Sequence, residues 1–231
     1  MSPISTSNQR TPPSSRLAVF DVCGTLYRSN TTFDFLRYLI KTGVLPRHLT
    51  EILLGPNLFI KSGFKMFERI SGKSLLKPLV LRALAGIPSL AVYEAATGFV
   101  ATELAEVRIE TTHRLLENAK TQGRVMLISS SVEPVVRAVA QHLGNLEYIA
   151  STLEESNGIL TGRVACEQHS RKLQSLRKVD SLLSTELTVV TDNRSDLQLM
   201  QEAQHRVAVV WSLRDLRFWQ TFEGVRIEAL F

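Results

Sequence analysis

The sequence of 231 residues has few cysteines and no long apolar segment. Its two cysteines, Cys23 and Cys166, are too few for the disulfide framework of a small secreted protein. No run of 18 or more apolar residues occurs, and two basic residues and a proline interrupt the longest apolar run, residues 75–84. Residues 1–16 are rich in Ser, Thr and Pro and lack the apolar core of a secretory signal, which predicts a disordered lead. We therefore expect a cytoplasmic protein with no membrane-spanning helix.

Acidic residues are scarce in one part of the chain. Between Phe35 and Leu90 there are nine Lys or Arg residues and only two acids, Glu51 and Glu68, although the net charge of the whole chain is +5. Such an excess is typical of a solvated helical surface, and it also suits an anionic substrate or the anionic surface of a membrane. The sequence leaves these three interpretations open.

The composition is that of a soluble globular protein, with 44% hydrophobic and 21% charged residues, and the length suffices for one α/β core and a smaller module. Short apolar runs alternate with helical patterns, which predicts an α/β fold with a doubly wound, Rossmann-like parallel sheet. The predicted strands are residues 17–21, 124–128, 146–150, 187–191 and 206–210. The predicted helices are residues 109–121, 132–143, 170–183 and 194–203.

A long helical insertion interrupts this alternation after the first strand. Residues 31–105 are mostly helical in pattern and are punctuated by Gly and Pro, which predicts an inserted α-helical cap. The core then consists of residues 17–30 and 106–231. Two glycines predict a short hairpin over residues 157–164. We expect the apolar and aromatic tail, residues 211–231, to pack on the core.

The first polar cluster follows the first predicted strand directly, in Phe-Asp-Val-Cys-Gly-Thr-Leu, residues 20–26. An aspartate at the end of a strand, here Asp21, can attack phosphorus and form an acyl-phosphate. Gly24 permits the sharp turn that exposes such a side chain, and Thr25 can donate a hydrogen bond to the carboxylate or to a bound phosphate. The alternative is a strand-end Asp that only caps the following turn.

Two further positions carry little information alone. Ser129 ends the second predicted strand, where its hydroxyl and the backbone N–H groups of a following helix can bind phosphate. Helix capping is the alternative for Ser129, Ser130 and Ser131. Lys172 begins a predicted helix, where its charge can neutralise a nucleophilic carboxylate and a phosphoryl group in transfer, although surface lysines are common.

Asp192 and Asp196 follow the strand predicted at residues 187–191. Two acids four residues apart, at the end of a strand and the start of a helix, suit a hard cation that prefers oxygen ligands. Capping of the helix by Asp192 is the alternative. Because ligands of such sheets bind outside the carboxyl ends of the strands, we expect Asp21, Ser129 and Asp192 to converge.

In this order and at these strand ends, the four clusters resemble the haloacid-dehalogenase (HAD) superfamily, specifically its phosphoserine-phosphatase-like branch with a helical cap. The resemblance extends from about Leu17 to Val210. The segments Ser-Ser-Ser-Val-Glu-Pro, residues 129–134, and Gly-Ile-Leu-Thr-Gly, residues 158–162, are also similar to that branch. The resemblance implies a Mg²⁺-dependent phosphoaspartyl mechanism on a small phosphorylated substrate.

The resemblance also implies a role for each matching residue. Asp21 would be the nucleophile and a Mg²⁺ ligand. The backbone carbonyl of Cys23 and the carboxylate of Asp192 would be the other protein ligands, and Asp196 would hold the metal shell. Two residues would bind the phosphoryl group: Ser129 and Lys172.

Two positions depart from the family pattern. The phosphatases of the family have Asp two residues after the nucleophile, where this chain has Cys23. That Asp protonates the leaving group and then activates water, which is worth roughly 10²–10⁴ in rate, whereas a thiol with a pKa of about 8.5 is a reluctant acid. The expected metal site should survive, because it needs only the backbone carbonyl of this residue. At the second position Thr191 replaces a Gly that is usual in the family, which crowds the turn beside the metal.

The sequence leaves three functions open. The leading hypothesis is a phosphohydrolase or phosphotransferase. The second is a regulatory protein that binds phosphate and Mg²⁺ but turns over poorly, because the acid–base residue is replaced while the ligands are retained. The third is cleavage of carbon–halogen or carbon–phosphorus bonds; cleavage of the latter needs a cap lysine that forms a Schiff base, and no cap lysine is marked by its surroundings. The cap lysines are Lys41, Lys61, Lys65, Lys73 and Lys77.

Two statements about macromolecular partners follow from the basic cap. We expect no nucleic-acid partner, because aromatic residues are not interleaved with the basic ones as single-strand binders require. Peripheral contact with an anionic membrane is the other partner that the basic cap suits.

Overall fold

The computed structural model describes residues 16–46, 76–180 and 186–231. Three predictions therefore lie wholly or partly outside the described residues: the N-terminal lead, the middle of the cap and the end of the helix predicted at 170–183. Five of the nine basic residues counted between Phe35 and Leu90 lie outside them as well.

Seven strands of the described residues form one sheet: β1 (Arg16–Phe20), β2 (Arg124–Val132), β3 (Glu147–Ser156), β4 (Ile159–Cys166), β5 (Glu186–Thr191), β6 (His205–Val210) and β7 (Val225–Ala229). Their order is β4-β3-β2-β1-β5-β6-β7. All neighbouring pairs are parallel except β3 and β4, which form an antiparallel hairpin. This order places β1 in the middle of the sheet, between β2 and β5.

The described α-helices are α1 (Thr31–Lys41), α2 (Leu76–Leu81), α3 (Ser89–Phe99), α4 (Glu110–Gln122), α5 (Glu133–His142), α6 (Lys172–Val179), α7 (Leu197–Glu202) and α8 (Leu213–Trp219). Shorter helical turns are formed by Arg82–Leu84, Val100–Leu104, Ala105–Val107 and Arg194–Asp196.

The central strand β1 shows why the sheet lies in the middle of the fold. Its last four residues are all buried, and their side chains alternate between two hydrophobic cores. Ala18 and Phe20 pack in the core shared with α1, α3 and α5, whereas Leu17 and Val19 pack with α6, α7 and α8. A parallel strand that is covered on both faces has a continuous apolar sequence, as this strand does.

The predicted fold class is confirmed: the sheet is largely parallel and has helices on both faces. All five predicted strands are present, at β1, β2, β3, β5 and β6, although β2 and β3 continue beyond their predicted ends. The hairpin predicted at residues 157–164 is the β3–β4 turn, where Asn157 and Gly158 have positive φ. The tail packs on the core as expected, through α8 and its fully buried Trp219, and it also adds the strand β7.

The described parts of the predicted cap segment, residues 31–46 and 76–105, are mainly helical. Within them α3 packs along α5 of the core segment. The boundaries of a separate cap domain stay a prediction. No helix in the described ranges is both long enough and apolar enough to cross a membrane.

Candidate active site

Asp21 lies at the carboxyl end of β1 and is held there by backbone groups. Its own N–H donates to the carbonyl oxygen of Val190 in β5 at 3.0 Å. One carboxylate oxygen, Oδ1, accepts from the N–H of Val22 at 2.7 Å. The side chain is buried, so this carboxylate is fixed at the central strand of the sheet, where ligands of such folds bind.

Lys172, the first residue of α6, joins two of the predicted site residues. Its buried Nζ donates to Oδ2 of Asp21 and to Oδ2 of Asp196, each at 2.6 Å. Burial alone would lower the pKa of Lys172, but the two carboxylates outweigh it and hold the pKa above its ordinary value. Lys172 is therefore a permanent positive charge beside Asp21.

Asp192 lies over the turn that follows Asp21. Thr25 Oγ1 donates to Asp192 Oδ1 at 3.0 Å, and the Asp192 N–H donates to Thr25 Oγ1 at 2.9 Å. Gly24 has a φ of +70°, and a Cβ atom there would lie 2.2 Å from Asp192 Oδ2. Only glycine therefore allows this approach. Burial and the negative charge of the neighbouring Asp21 carboxylate raise the pKa of Asp192 to about 7.

The alternative interpretations of Asp192 and of the three serines of β2 as helix caps are wrong. Asn193, rather than Asp192, caps the turn Arg194–Asp196, because its side chain accepts from the N–H of Ser195 at 3.1 Å. The N-cap of α5 is Val132, which offers no side-chain hydrogen bond, so none of the three serines of β2 caps that helix.

Ser129 is fully buried, and its Oγ accepts from the N–H of Ser131 at 3.3 Å. Among the described residues its hydroxyl proton has no acceptor. The hydroxyl is therefore free to donate to a ligand, and its binding of a phosphoryl oxygen stays a prediction. Thr25 was predicted to donate to the Asp21 carboxylate or to a bound phosphate, whereas here its hydroxyl donates to the carboxylate of Asp192.

Asp196 is positioned by the residue that departs from the family pattern. The Thr191 hydroxyl donates to Asp196 Oδ2 at 2.7 Å, the same oxygen that accepts from Lys172. The other oxygen, Oδ1, is buried and has no hydrogen-bond partner among the described residues. Burial raises the pKa of Asp196 although Lys172 opposes it. Thr191 thus orients this carboxylate as well as occupying the turn.

Cys23 lies two residues beyond Asp21 and is half-buried. Its S–H donates to the carbonyl oxygen of Ser29 at 2.9 Å. Burial and the negative charges of Asp192 and Asp21 raise the pKa of Cys23 to about 12. The thiol therefore stays protonated and is a poorer acid than an ordinary cysteine.

The donor atoms near Asp21 fit a hard cation such as Mg²⁺. They are carboxylate and carbonyl oxygens, and the buried Asp196 Oδ1 has no hydrogen-bond partner among the described residues. Within the described ranges no group of three or more His, Cys, Asp or Glu side chains is arranged to hold an ion. The expected ligand set, with Asp21, Asp192 and one backbone carbonyl, needs only two such side chains.

Two cavities lie near different ends of the sheet. One, of about 390 Å³, opens beside Cys23 and Asp192, and the guanidinium of Arg28 lies on its rim, 5.1 Å from the ring centroid of Trp211. Another, of about 490 Å³, lies where β1, β2, β5 and β6 begin, at the opposite edge from Asp21. Of the predicted site residues, Cys23 and Asp192 line the first cavity.

The sequence analysis did not identify Lys77 as a site residue, because it found no neighbouring motif that distinguished one cap lysine from another. Lys77 is buried, and its Nζ donates to the carbonyl oxygen of Ser130, to Ser151 Oγ and to both carboxylate oxygens of Glu167. A signal existed, since this lysine interrupts the longest apolar run of the chain.

A sequence model of the family described as HAD, haloacid dehalogenase-like hydrolase, matches residues 18–201. Among solved structures, a protein of unknown function from Bordetella pertussis Tohama I aligns with a TM-score of 0.73 and 18% identity, over 94% of this chain and 99% of that chain. A HAD family hydrolase from Salmonella enterica serovar Typhi aligns with a TM-score of 0.63 and 14% identity, over 92% and 67% of the two chains. A phosphoserine phosphatase in its apo form aligns with a TM-score of 0.57 and 18% identity, over 92% of each chain. No curated protein matches.

Proposed function

The chain belongs to the haloacid dehalogenase-like hydrolases, and from that premise we propose that it is a Mg²⁺-dependent phosphohydrolase or phosphotransferase. Its substrate would be a small phosphorylated metabolite, and the reaction would pass through a phosphoaspartyl intermediate on Asp21. The observation that carries this proposal is the buried ammonium of Lys172, which lies 2.6 Å from both Asp21 and Asp196 at the carboxyl ends of the strands. Buried charges of this kind are costly and cluster at functional sites.

The residues divide the work of phosphoryl transfer between them. A carboxylate oxygen of Asp21 attacks phosphorus, and the bond between phosphorus and the leaving oxygen breaks. The hydroxyl of Ser129 and the ammonium of Lys172 bind the phosphoryl oxygens and stabilise the charge that develops on them. A second acceptor, either water or another hydroxyl group, then takes the phosphoryl group from Asp21.

Bound Mg²⁺ would neutralise charge on the phosphoryl oxygens, and its protein ligands would be Asp21, Asp192 and the carbonyl oxygen of Cys23. The Thr25 hydroxyl orients the Asp192 carboxylate by donating to it, and Gly24, which has no side chain, leaves room for that carboxylate. Asp196 stays buried beside Lys172, so its role would be to hold that lysine and the water shell of the ion.

The state of Cys23 favours a second candidate, a protein that binds phosphate and Mg²⁺ but turns over slowly. A thiol whose pKa is about 12 gives up its proton reluctantly to a leaving group. Substrates with good leaving groups, such as acyl or anomeric phosphates, need that proton least. Slow activation of water also favours transfer to another acceptor over hydrolysis.

The two candidates separate in a screen for phosphate release over a panel of phosphorylated metabolites, with Mg²⁺ and with a chelator. We expect Mg²⁺-dependent release that Asp21→Asn abolishes, because the amide is no nucleophile. Glu117→Gln is the matched control, since this exposed carboxylate on α4 pairs with a neighbouring lysine, Lys120. Mg²⁺-dependent binding of phosphate without turnover would favour the second candidate, and the absence of both binding and turnover would exclude the two together.

A further inference from the structure

Lys77 connects the predicted cap segment to the strand that carries Ser129. Only 11% of its side chain is exposed, and its Nζ donates to the carbonyl oxygen of Ser130, the residue next to Ser129. It also bonds Ser151 Oγ at 3.2 Å and Glu167 at 2.8 Å. Ser151 Oγ donates to the same Ser130 carbonyl at 2.9 Å, so that one peptide group accepts two hydrogen bonds.

A second contact holds the same end of β2. Thr31, the first residue of α1, shares a buried hydrogen bond with Ser131 Oγ. The two residues that follow Ser129 are thus both held in place, Ser130 through its carbonyl oxygen and Ser131 through its hydroxyl. Two residues of the segment 31–105 therefore define where the end of β2 lies.

The surroundings of Lys77 exclude chemical roles that need a free amine. Burial lowers the pKa of Lys77, and the Glu167 carboxylate partly offsets this shift. The three protons of its ammonium group are directed at acceptors of the protein itself. A lysine whose protons are all engaged is suited to holding the groups that it contacts, rather than to forming a Schiff base or protonating a leaving group.

We propose that Lys77 is a positioning residue for the phosphoryl-binding Ser129: by fixing the Ser130 carbonyl, it sets the direction of the Ser129 hydroxyl towards the group being transferred. This inference rests on the proposed function, because it assumes that Ser129 binds the phosphoryl group. Glu167 keeps the buried ammonium charged and in place, since its carboxylate also accepts from the N–H groups of Gln168 and His169.

The experiment measures inhibition by inorganic phosphate together with kcat/KM for Lys77→Met. Methionine retains much of the lysine stem but cannot donate to the carbonyl of Ser130. We expect kcat/KM to fall by about 10- to 100-fold, the order of loss that a displacement of about 1 Å can cause, and the inhibition constant of phosphate to rise. Lys41→Met is the matched control, since it removes one positive charge from an exposed cap lysine, 73% exposed and paired with Glu103. Its constants should stay at the wild-type values.

A double variant separates positioning from folding. Lys77→Met alone leaves Glu167 without its cation, which destabilises the protein. Lys77→Met with Glu167→Gln removes both charges, so we expect the melting temperature to recover while the inhibition constant of phosphate stays raised. If stability and phosphate affinity recover together, Lys77 has only a structural role and the inference is overturned.

Two further outcomes decide between the possible failures. If the wild type releases or binds phosphate and Lys77→Met behaves like Lys41→Met, the inference alone is wrong. If the wild type neither releases nor binds phosphate, the proposed function is wrong and the inference falls with it. A loss in Lys77→Met that is much larger for alkyl phosphates than for p-nitrophenyl phosphate would identify a proton donor and would also overturn the positioning role.

Discussion

The substitution Cys23→Asp adds a carboxyl group at the position where the family phosphatases carry their acid–base residue. In this chain the position holds a thiol that donates to the carbonyl oxygen of Ser29 at 2.9 Å. Burial and the charges of Asp192 and Asp21 raise the pKa of this thiol to about 12, so it retains its proton when a leaving group needs one. We expect Cys23→Asp to raise the turnover of ordinary phosphomonoesters.

The size of the gain depends on the pKa of the new carboxyl group. Asp192 lies in similar surroundings, where burial and the charge of Asp21 raise its pKa to about 7. A carboxyl group at position 23 would experience the same burial and both neighbouring carboxylates, which raise its pKa towards neutrality, whereas Lys172 lowers it. A general acid with such a pKa contributes roughly 10²–10⁴ in rate, and we expect a gain in kcat/KM of about 10²–10³.

The assay compares an alkyl phosphate with p-nitrophenyl phosphate in the wild type and in Cys23→Asp. The gain should be larger for the alkyl phosphate, because an alkoxide needs a proton far more than a nitrophenolate does. Cys166→Asp is the matched control, since Cys166 is the other cysteine of the chain and is exposed. If Cys23→Asp folds and binds Mg²⁺ but gains nothing with either substrate, the thiol does not limit turnover and this reasoning is refuted.

Three further changes test the site and the fold. Gly24→Ala places a Cβ 2.2 Å from Asp192 Oδ2 and should weaken Mg²⁺ binding in a titration. The control is Gly43→Ala, where φ is +80° and a Cβ would have no atom within 4 Å. This control should lose only about 1–2 kcal/mol of stability and keep its Mg²⁺ affinity. Burial lowers the pKa of His113 to about 4, so between pH 7 and pH 5 the unfolded chain binds a proton that the folded chain does not bind. The unfolding free energy of the wild type, measured by urea denaturation relative to that of His113→Gln, should therefore fall by about 2 kcal/mol from pH 7 to pH 5, and a difference that stays constant would contradict this. The indole N–H of Trp219 is buried without a partner among the described residues, so Trp219→Phe should cost less than about 1.5 kcal/mol and Trp219→Ala about 3–5 kcal/mol, both by urea denaturation.

The strands of the sheet were predictable because burial on both faces leaves a continuous apolar run. In β1 this run ends at Phe20, directly before Asp21, and in β5 it ends at Val190, two residues before Asp192, so the change from apolar to polar residues located both strand ends. Parallel strands bring such ends to one edge of a sheet, which is why residues far apart in sequence could be placed together. The hydrogen bond from the Asp21 N–H to Val190, at 3.0 Å, is the contact that this reasoning required.

The tail was harder to assign from its sequence. Residues 211–231 were expected to pack on the core, but the strand β7 at the sheet edge was not expected. β7 has only five residues and none of them is fully buried, so its sequence lacks the apolar run that marks the central strands. These residues form a strand because they pair with β6, and this pairing cannot be predicted from their own sequence.

The roles of Thr191 and Thr25 could not be read from residue type. Thr191 was expected to crowd the turn, yet its hydroxyl donates to Asp196 at 2.7 Å. Thr25 was expected to donate to the Asp21 carboxylate or to a phosphate, and it donates instead to Asp192 at 3.0 Å. A hydroxyl can donate to any acceptor within reach, so its partner is decided by side-chain direction, which the sequence does not state.

Lys41 and Lys77 show what separates a surface lysine from one that belongs to a site. Both fall in helical patterns of the same segment, and both pair with a carboxylate at 2.8 Å. Lys41 remains 73% exposed, whereas buried Val80 and Leu81 pack the helix of Lys77 against the core and its side chain is 11% exposed. A buried ammonium must find acceptors, and the acceptors within reach are Glu167 and the carbonyl beside Ser129. A charged residue inside an apolar run is therefore the sequence signal that distinguishes Lys77 from the other cap lysines.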